Sequence, residues 1–264
     1  MRIASLSSGS NGNCIYVGDD NTHILIDAGI SAKVIENGLK ELDLSLNDID
    51  AILVTHEHSD HIKGIGVLQR KRNIPVFASR GTVEGIFYNQ SLGNFDKSCL
   101  NVIDNSEFNI KSLSFTTHHI SHDAKEPLCF SFTDGRKKGA VVTDLGVYDD
   151  ALVKDLSNLN FILAEANHDI RMLETGPYAY SLKRRILSDR GHLCNENCGR
   201  FVASLLNDSF ESIMIGHLSE INNLPELAYE SVKNEITMAP CKYEGLDFPI
   251  YVAKRNEISN IIDL

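Results

Sequence analysis

The sequence has no long apolar run and no segment that separates it into parts. None of its 264 residues belongs to an uninterrupted apolar stretch of about 18, the length that a membrane-spanning helix requires. The first residues lead straight into a turn rich in serine, glycine and asparagine, and they lack the apolar core of a signal peptide. We therefore expect a cytoplasmic protein. Because no linker, repeat or charge block divides the chain, the sequence also predicts a single domain over residues 1–264.

Cysteine and basic residues are both scarce. The six cysteines include no CxxC pair, and we expect them to be small buried hydrophobic residues in a reducing compartment. The 25 basic residues face 36 acidic ones, which gives a net charge of −11. This balance argues against a general polyanion binder, although acidic residues that bind cations would reverse the local field. The composition, 42% hydrophobic and 23% charged, is that of a globular protein and excludes a disordered chain.

Apolar runs and helical spacings predict a mixed α/β chain. Residues 14–17 and 23–27 flank a turn signal typical of a hairpin. Ser31 is expected to cap a helix, and Pro177 and Pro225 suit first-turn positions of two others. Further strands are predicted at 3–6, 51–54, 76–78, 101–103, 108–115, 128–133, 140–143, 161–164, 212–216 and 250–252. Helices are predicted at 82–90, 148–157, 178–188, 195–206 and 225–235. Strands mixed with helices favour packed sheets with helices outside, an α/β or α+β layered fold.

A dense cluster of metal-binding residue types follows the apolar run 51–54. It reads Thr55-His56-Glu57-His58-Ser59-Asp60-His61, with three histidines directly after a predicted buried strand. Such a position places several ligands on one loop at the edge of a sheet. Imidazole and carboxylate groups suit zinc, and they also suit iron or manganese. The alternative interpretation is a solvated polar turn.

One loop does not complete a metal site, so further ligands have to come from other strand ends. His122, Asp144 and His217 each follow a predicted strand, at the end where sheets carry functional loops. Each alone would more often be a structural or exposed residue, but together they supply ligands for two sites. His118 and His119 belong to the strand that leads to His122, and we expect neither to bind metal.

The order of these motifs resembles that of the metallo-β-lactamase-fold hydrolases. The pattern His56-x-His58-x-Asp60-His61 is preceded by Asp27 in Ile26-Asp27-Ala28-Gly29 and followed by the three single ligands above. A finer resemblance, to the bacterial YycJ/WalJ group, is carried by residues 8–14, 121–124, 165–169, 190–193 and 217–223.

The resemblance implies a four-layer αββα sandwich with two divalent metal ions at one edge. It assigns His56, His58 and His122 to one ion, Asp60, His61 and His217 to the other, and Asp144 to both. Asp27 would orient the histidine loop rather than bind metal. Two such ions activate a bridging hydroxide, which Asp60 would help to orient or deprotonate. The native metal stays open between zinc, manganese and iron.

The resemblance also implies a substrate, DNA, degraded from the 5′ end of a duplex. A bridging Asp144 disfavours a β-lactamase, and too few residues separate it from His217 for the inserted domain of RNA-processing relatives. Residues 181–200 contain five basic and two acidic residues, including Lys183 and Arg184, which favours a nucleic-acid groove or else an ordinary solvated helix. Hydrolysis of a small cyclic phosphodiester, ester or thioester is an alternative function. A non-catalytic metal-dependent binding protein is another.

Four more polar residues are candidates for contact with the substrate. His192 and His168 could donate to a phosphate oxygen or protonate a leaving group, although a structural hydrogen bond is an alternative for each. Of the two, we expect His192 to be catalytic and His168 to bind substrate. Asn13 and Asn222 could line the mouth of the site, but turn residues of this type need no function.

Overall fold

The computed structural model describes residues 1–264, which form two compact units. Unit 1 comprises residues 1–119, 124–128 and 254–263, and unit 2 comprises 120–123, 129–253 and 264. Neither unit is one continuous stretch of sequence, and the single-domain organisation stays a prediction. No helix is both long enough and apolar enough to cross a membrane. Five of the six cysteines are buried, as expected, and Cys241 is exposed.

Strands and helices alternate through most of the chain, which confirms the predicted mixed α/β class. The strands are β1 Arg2–Ser7, β2 Cys14–Gly18, β3 His23–Ile26, β4 Ala51–Leu53, β5 Val76–Ala78, β6 Leu100–Val102, β7 Glu107–Ile110, β8 Leu113–His119, β9 Leu128–Thr133, β10 Lys138–Val142, β11 Phe161–Glu165, β12 Ser212–Gly216, β13 Ile250–Val252 and β14 Ile262–Asp263. The helices are α1 Ala32–Glu41, α2 Ser59–Ile62, α3 Ile65–Lys71, α4 Arg80–Tyr88, α5 Asp150–Asp155, α6 Ile170–Thr175, α7 Tyr180–Ile186, α8 Asn195–Leu205 and α9 Pro225–Met238.

Unit 1 is built on a seven-stranded sheet with the order β14-β1-β2-β3-β4-β5-β6. The first strands form the expected antiparallel hairpin, and β3 to β6 run parallel. Helix α1 begins after Ser31, whose side chain accepts a hydrogen bond from the Val34 amide. The buried side of α1 consists of Ala32, Ile35 and Leu39, at helical spacing. Parallel β3 and β4 therefore end at the same edge of this sheet, the edge from which the histidine loop leaves.

In unit 2, strands β9 to β13 pair in the order β13-β12-β11-β10-β9. Strands β10 to β13 are parallel, and β11 and β12 are buried along their whole length, which explains their continuous apolar sequences. Helices α8 and α9 pack closely at Gly199, where an added Cβ would lie 3.1 Å from the Val232 Cα. Because parallel strands share the direction of their carboxyl ends, the residues that follow β10, β11 and β12 meet at one edge.

Two predicted elements are wrong in detail. Residues 108–115 are not one strand but parts of the hairpin β7–β8, which turns at Lys111 with a left-handed φ of 49°. The polar and apolar alternation runs on through this turn, which contains no glycine, asparagine or proline to mark it. Pro177 is not in the first turn of α7, which begins at Tyr180. It follows Gly176, the residue that ends α6, and proline in that place prevents the helix from continuing.

Candidate active-site residues

The histidine loop of unit 1 folds into a compact group of imidazoles. It leaves β4 and enters the short helix α2, with His58 as the residue before the first turn. The ring of His56 lies 4.6 Å from that of His58 and 4.1 Å from that of His61, measured between centroids. The Nε2 atom of His61 lies 3.4 Å from Oδ2 of Asp60. Four candidate ligands therefore sit together within this loop.

Asp27 fixes the orientation of His61. It follows β3 with a left-handed φ of 63° and is fully buried. Its carboxylate accepts hydrogen bonds from the Thr55 amide at 2.8 Å, the Thr55 hydroxyl at 2.9 Å and His61 Nδ1 at 2.7 Å. Because Nδ1 donates to Asp27, the Nε2 atom of His61 is left for a metal, as is usual for metal-binding histidines. The role expected for Asp27 agrees with these contacts.

Asn13 lies against the same loop and is fully buried. Its side chain accepts from the Gly9 amide at 3.0 Å and donates to the Gly9 carbonyl at 3.1 Å, and its Nδ2 is 3.3 Å from His61 Nε2. Nearby, an added Cβ on Gly29 would come within 1.5 Å of the Asp60 carbonyl oxygen, so only glycine allows this approach. The contacts of Asn13 hold the 9–13 turn in place, and its substrate-binding role stays a prediction.

Unit 2 brings Asp144, His122 and His217 together. Asp144 and His217 follow β10 and β12 with left-handed φ values of 58° and 54°, a conformation that aspartate and histidine adopt more readily than most residues. Oδ1 of Asp144 lies 3.6 Å from Nε2 of His122 and 3.6 Å from Nε2 of His217. His122 is held in turn by the Gly191 carbonyl, 3.1 Å from its Nδ1. Three residues that lie far apart in sequence thus direct their ligand atoms to one place.

Glu165 is the residue whose function the sequence did not reveal. It ends β11, is fully buried, and its Oε2 lies 2.8 Å from His217 Nδ1, 3.0 Å from His192 Nδ1 and 2.9 Å from the Asp144 amide. Its other oxygen accepts from the Leu193 amide at 2.9 Å. Burial alone would raise the pKa of Glu165, but the two histidines outweigh it and lower the pKa to about 2. A single ionised carboxylate therefore orients two imidazoles.

His192 lies beside this carboxylate with its side chain 14% exposed. Burial on its own lowers the pKa of His192, but the Glu165 carboxylate at Nδ1 outweighs it, with help from Asp144, so the pKa lies above the ordinary value. Its ring stacks on that of His217 at 5.5 Å between centroids. With Nδ1 bound to Glu165, the Nε2 atom of His192 is the one left to meet a substrate.

The donor sets suit a divalent metal ion. Two atoms that each lie about 2.1 Å from one tetrahedral ion are about 3.4 Å apart. The Asp60–His61 pair in unit 1 and the Asp144–His217 pair in unit 2 have separations of 3.4 Å and 3.6 Å. In unit 2, one ligand atom from each of Asp144, Glu165, His192 and His217 falls within 4.8 Å of the others. The residues present therefore fit metal ions in spacing and in chemistry.

The predicted substrate-binding residues of unit 2 differ in what they contact. His168 is buried, neither of its ring nitrogens has a hydrogen-bond partner, and burial lowers its pKa to about 4. Asn222 is also buried, and its amide oxygen has no partner. Lys183 donates from Nζ to the Glu174 and Gly176 carbonyls at the end of α6, both at 2.7 Å. Arg184 is exposed and makes no ion pair. The substrate-binding roles of these residues stay predictions.

Comparison with known proteins places the chain in a family. A family model described as a beta-lactamase superfamily domain matches residues 22–207. A Bacillus anthracis protein named exodeoxyribonuclease YycJ is 41% identical, over 88% of this chain and 88% of its own. The Streptococcus pneumoniae protein named exodeoxyribonuclease WalJ is 37% identical, over 95% of this chain and 93% of its own.

A solved structure agrees at the level of the fold. The metallo-β-lactamase fold protein YhfI from Bacillus subtilis matches with a TM-score of 0.71 over 97% of both chains, at 15% sequence identity. At this sequence identity the match shows similarity of fold only, and it confirms the fold class predicted from the sequence. The chain belongs to the β-lactamase superfamily, within which it is a metal-dependent hydrolase of the YycJ/WalJ group.

Proposed function

We propose that the chain is an exonuclease that degrades duplex DNA in the 5′-to-3′ direction with two divalent metal ions as cofactors. The observation that carries the proposal is its similarity, over most of both chains, to relatives named exodeoxyribonuclease. The metal ligands are those that the family resemblance assigns: His56, His58 and His122 for one ion, Asp60, His61 and His217 for the other, and Asp144 for both. Cytoplasmic location fits such a substrate and is proposed with it.

The oriented histidines support a hydrolytic role for these ligands. Asp27 and Glu165 each accept a hydrogen bond from Nδ1 of a proposed ligand, at 2.7 Å from His61 and 2.8 Å from His217. Each imidazole therefore already directs its Nε2 atom in a fixed orientation, so little side-chain entropy is lost when a metal ion binds. The ions, when bound, would supply an activated water and positive charge opposite the phosphate.

We assign the proton transfers to His192 and Asp60. When the water oxygen bonds to phosphorus, the bond from phosphorus to the leaving oxygen breaks, and that oxygen needs a proton. The Glu165 carboxylate favours the protonated form of His192, so its Nε2–H is the donor we propose. The half-buried carboxylate of Asp60 would orient the attacking water or accept its proton.

The test uses duplex DNA labelled separately at its two 5′ ends, with manganese and zinc supplied in parallel. We expect stepwise loss of nucleotides from the 5′ ends. Asp144→Asn should abolish this loss with the fold unchanged by circular dichroism, whereas Asp150→Asn, the same exchange at an exposed position of α5, should keep it. An active Asp144→Asn protein would exclude the bridging role.

Two other substrates are included in the same experiment. Cleavage of bis(4-nitrophenyl) phosphate with intact DNA would retain the metal chemistry and reject the DNA substrate in favour of a small phosphodiester. Cleavage of a thioester alone would favour the remaining hydrolase alternative. Metal binding with no turnover of any substrate would favour a binding protein.

A further inference from the structure

We infer that the outer face of α7 binds a single-stranded segment of the nucleic acid substrate, with one base stacked on Tyr180 and a neighbouring phosphate paired with Arg184. The inference rests on the proposed function, because it names the part of the DNA that this face would contact. It starts from a division within the basic residues of positions 183–190. Some of them are used inside the protein, and one is not.

Three of these basic side chains anchor the segment to its own unit. Lys183 donates to two carbonyls at the end of α6. Arg185 forms a two-pronged ion pair with Asp123, in which Nη2 lies 2.9 Å from Oδ1. Arg190 donates to the His122 carbonyl from Nε at 3.2 Å and from Nη2 at 3.1 Å. These three charges are therefore structural. Lys183 attaches α7 to the end of α6, whereas Arg185 and Arg190 attach α7 and the turn after it to the segment that carries His122.

Another row of side chains along α7 faces the solvent. Tyr180 and Arg184 are four residues apart, so they are neighbours on one helix face, and Leu187 continues the same row. Tyr180 is 76% exposed and Leu187 is 47% exposed. The side chains of Tyr180 and Arg184 make no hydrogen bond, ion pair or ring contact in the structure. An aromatic ring and a guanidinium thus project to solvent side by side with no role in holding the fold.

The carboxyl end of α7 adjoins the candidate catalytic histidine. The carbonyl of Ile186, the last residue of α7, accepts a hydrogen bond from the His192 amide at 3.0 Å. Only a five-residue turn separates the helix from His192, and the Arg190 contact holds that turn to His122. A strand bound at His192 would therefore pass close to Leu187, where the exposed row of α7 ends.

The side chains on this row of α7 favour a single strand of nucleic acid as the ligand. Single strands are bound without sequence preference by aromatic rings that stack on bases and by cations that pair with phosphates. A duplex would offer α7 its phosphates but not its base faces, which leaves an exposed tyrosine without a partner. Arg184 pairs with no carboxylate of its own chain, so its charge is available to a phosphate.

The experiment measures binding separately from cleavage. The manganese-loaded full chain is titrated against a fluorescein-labelled single-stranded oligonucleotide with phosphorothioate linkages, which resist hydrolysis, and anisotropy is followed at several salt concentrations. Tyr180→Ala should weaken binding about tenfold with an unchanged salt dependence, and Tyr180→Phe should bind as the parent does, because stacking needs the ring alone. Arg184→Gln should reduce the slope of log Kd against log salt by about 0.7, since one phosphate contact is lost.

Matched controls lie on other surfaces. Tyr88, on α4, is 74% exposed, and Arg136 lies in an exposed turn of unit 2. Tyr88→Ala and Arg136→Gln should leave both the affinity and the salt slope unchanged. The two control variants should also hydrolyse bis(4-nitrophenyl) phosphate at the parent rate.

The outcomes separate this inference from the proposed function. If the parent degrades DNA but Tyr180→Ala binds the oligonucleotide as tightly as the parent, the inference is wrong and the exonuclease stands. The same holds if duplex binds more tightly than single strand and the difference does not depend on Tyr180. If the parent cleaves no DNA, the exonuclease fails, and loss of oligonucleotide binding in Tyr180→Ala would still support the α7 surface. Equal effects of Tyr88→Ala and Tyr180→Ala would show non-specific stacking and would reject the inference.

Discussion

Asp27 in unit 1 and Glu165 in unit 2 occupy matching positions, but they accept different sets of hydrogen bonds. Each is fully buried at the end of a strand, and each accepts from Nδ1 of a proposed metal ligand. Asp27 shares its carboxylate between His61 and the amide and hydroxyl of Thr55. Glu165 shares its own between His217, a second imidazole and two backbone amides. Asp27 has no second imidazole partner that would correspond to His192.

This difference distinguishes two roles of a buried carboxylate. In unit 1 the carboxylate orients a ligand and holds the loop that carries it. In unit 2 the carboxylate orients a ligand and also favours the protonated form of a neighbouring group that we propose as a proton donor. In our proposal the two units would contribute similar metal ligands, and only unit 2 would contribute acid–base chemistry from an imidazole.

The largest expected effect concerns that second imidazole. We expect His192→Gln to lower kcat on DNA about 1,000-fold, because the leaving oxygen would lose its proton donor. Affinity for manganese, measured by competition with a chromogenic chelator, should change less than threefold, since the proposed ligands are untouched. The raised pKa of His192 also means that parent activity falls as the pH rises through that pKa, and the variant should lack this decline.

A steady-state pH profile of parent and variant decides the matter. His119→Gln, at an exposed position on β8, is the control and should match the parent. If His192→Gln keeps the alkaline decline of the parent, the decline belongs to another group and the comparison between the units loses its main element.

The next effect tests the carboxylates themselves. Glu165→Gln should weaken manganese binding about 100-fold and Asp27→Asn about tenfold, because Glu165 positions two proposed ligands, His217 and the Asp144 backbone, whereas Asp27 positions one, His61. Isothermal titration with manganese measures both. Glu165→Gln should also change the pH profile of kcat, which a merely structural carboxylate would not do. Equal losses of affinity with unchanged pH profiles would mean that the two carboxylates do the same job.

The sequence predicted one of these carboxylates and not the other, and the reason is physical. Asp27 belongs to a motif, and the histidine loop that it holds is continuous in sequence. This group of residues could therefore be recognised from the sequence. Glu165 was part of a resemblance motif but had no assigned role, because its function depends on two residues that follow other elements of unit 2. No local pattern records that β11 and β12 end side by side or that residue 192 returns to them.

The same limit applies to the fold. Continuous apolar runs predicted β4, β11 and β12, because buried parallel strands need little else. Helix α2 was missed, since three of its four residues belong to the histidine cluster, whose composition indicates metal binding rather than a helix. The left-handed backbone of Asp144 and His217 likewise leaves no mark in sequence, although it turns both side chains toward one place.

A smaller effect comes from His168, a buried imidazole of unit 2 that lacks a carboxylate hydrogen bond. Burial lowers its pKa from 6.5 to about 4, although Glu165 opposes the shift. The unfolded chain therefore binds a proton that the folded chain does not, and stability is lost as the pH falls from about 6.5 toward 4. Between pH 7 and pH 5 this group should lower the free energy of unfolding by about 2 kcal/mol.

Urea unfolding at the two pH values measures this loss. His168→Phe, which keeps a planar ring, should reduce the difference between the two pH values by about 2 kcal/mol, and His119→Phe should leave it unchanged. An equal pH dependence in the parent and in His168→Phe would show that burial of this imidazole is not the source. The result also sharpens the comparison, because His217 is as buried as His168 but has the carboxylate hydrogen bond that His168 lacks.

The smallest effect concerns Thr55, which takes in unit 1 the place that an imidazole takes in unit 2. Thr55→Val keeps the shape of the side chain and removes the hydroxyl that donates to Asp27 at 2.9 Å. We expect the free energy of unfolding to fall by about 1 kcal/mol, because the carboxylate keeps the Thr55 amide and His61 as donors and loses only one neutral partner. Urea unfolding of the full chain measures the change, with Thr117→Val on β8 as a control. Since Thr55 protonates nothing in our assignment, the pH profile of activity should keep its shape. A changed profile would mean that unit 1 also takes part in proton transfer, and the division of labour between Asp27 and Glu165 would then be wrong.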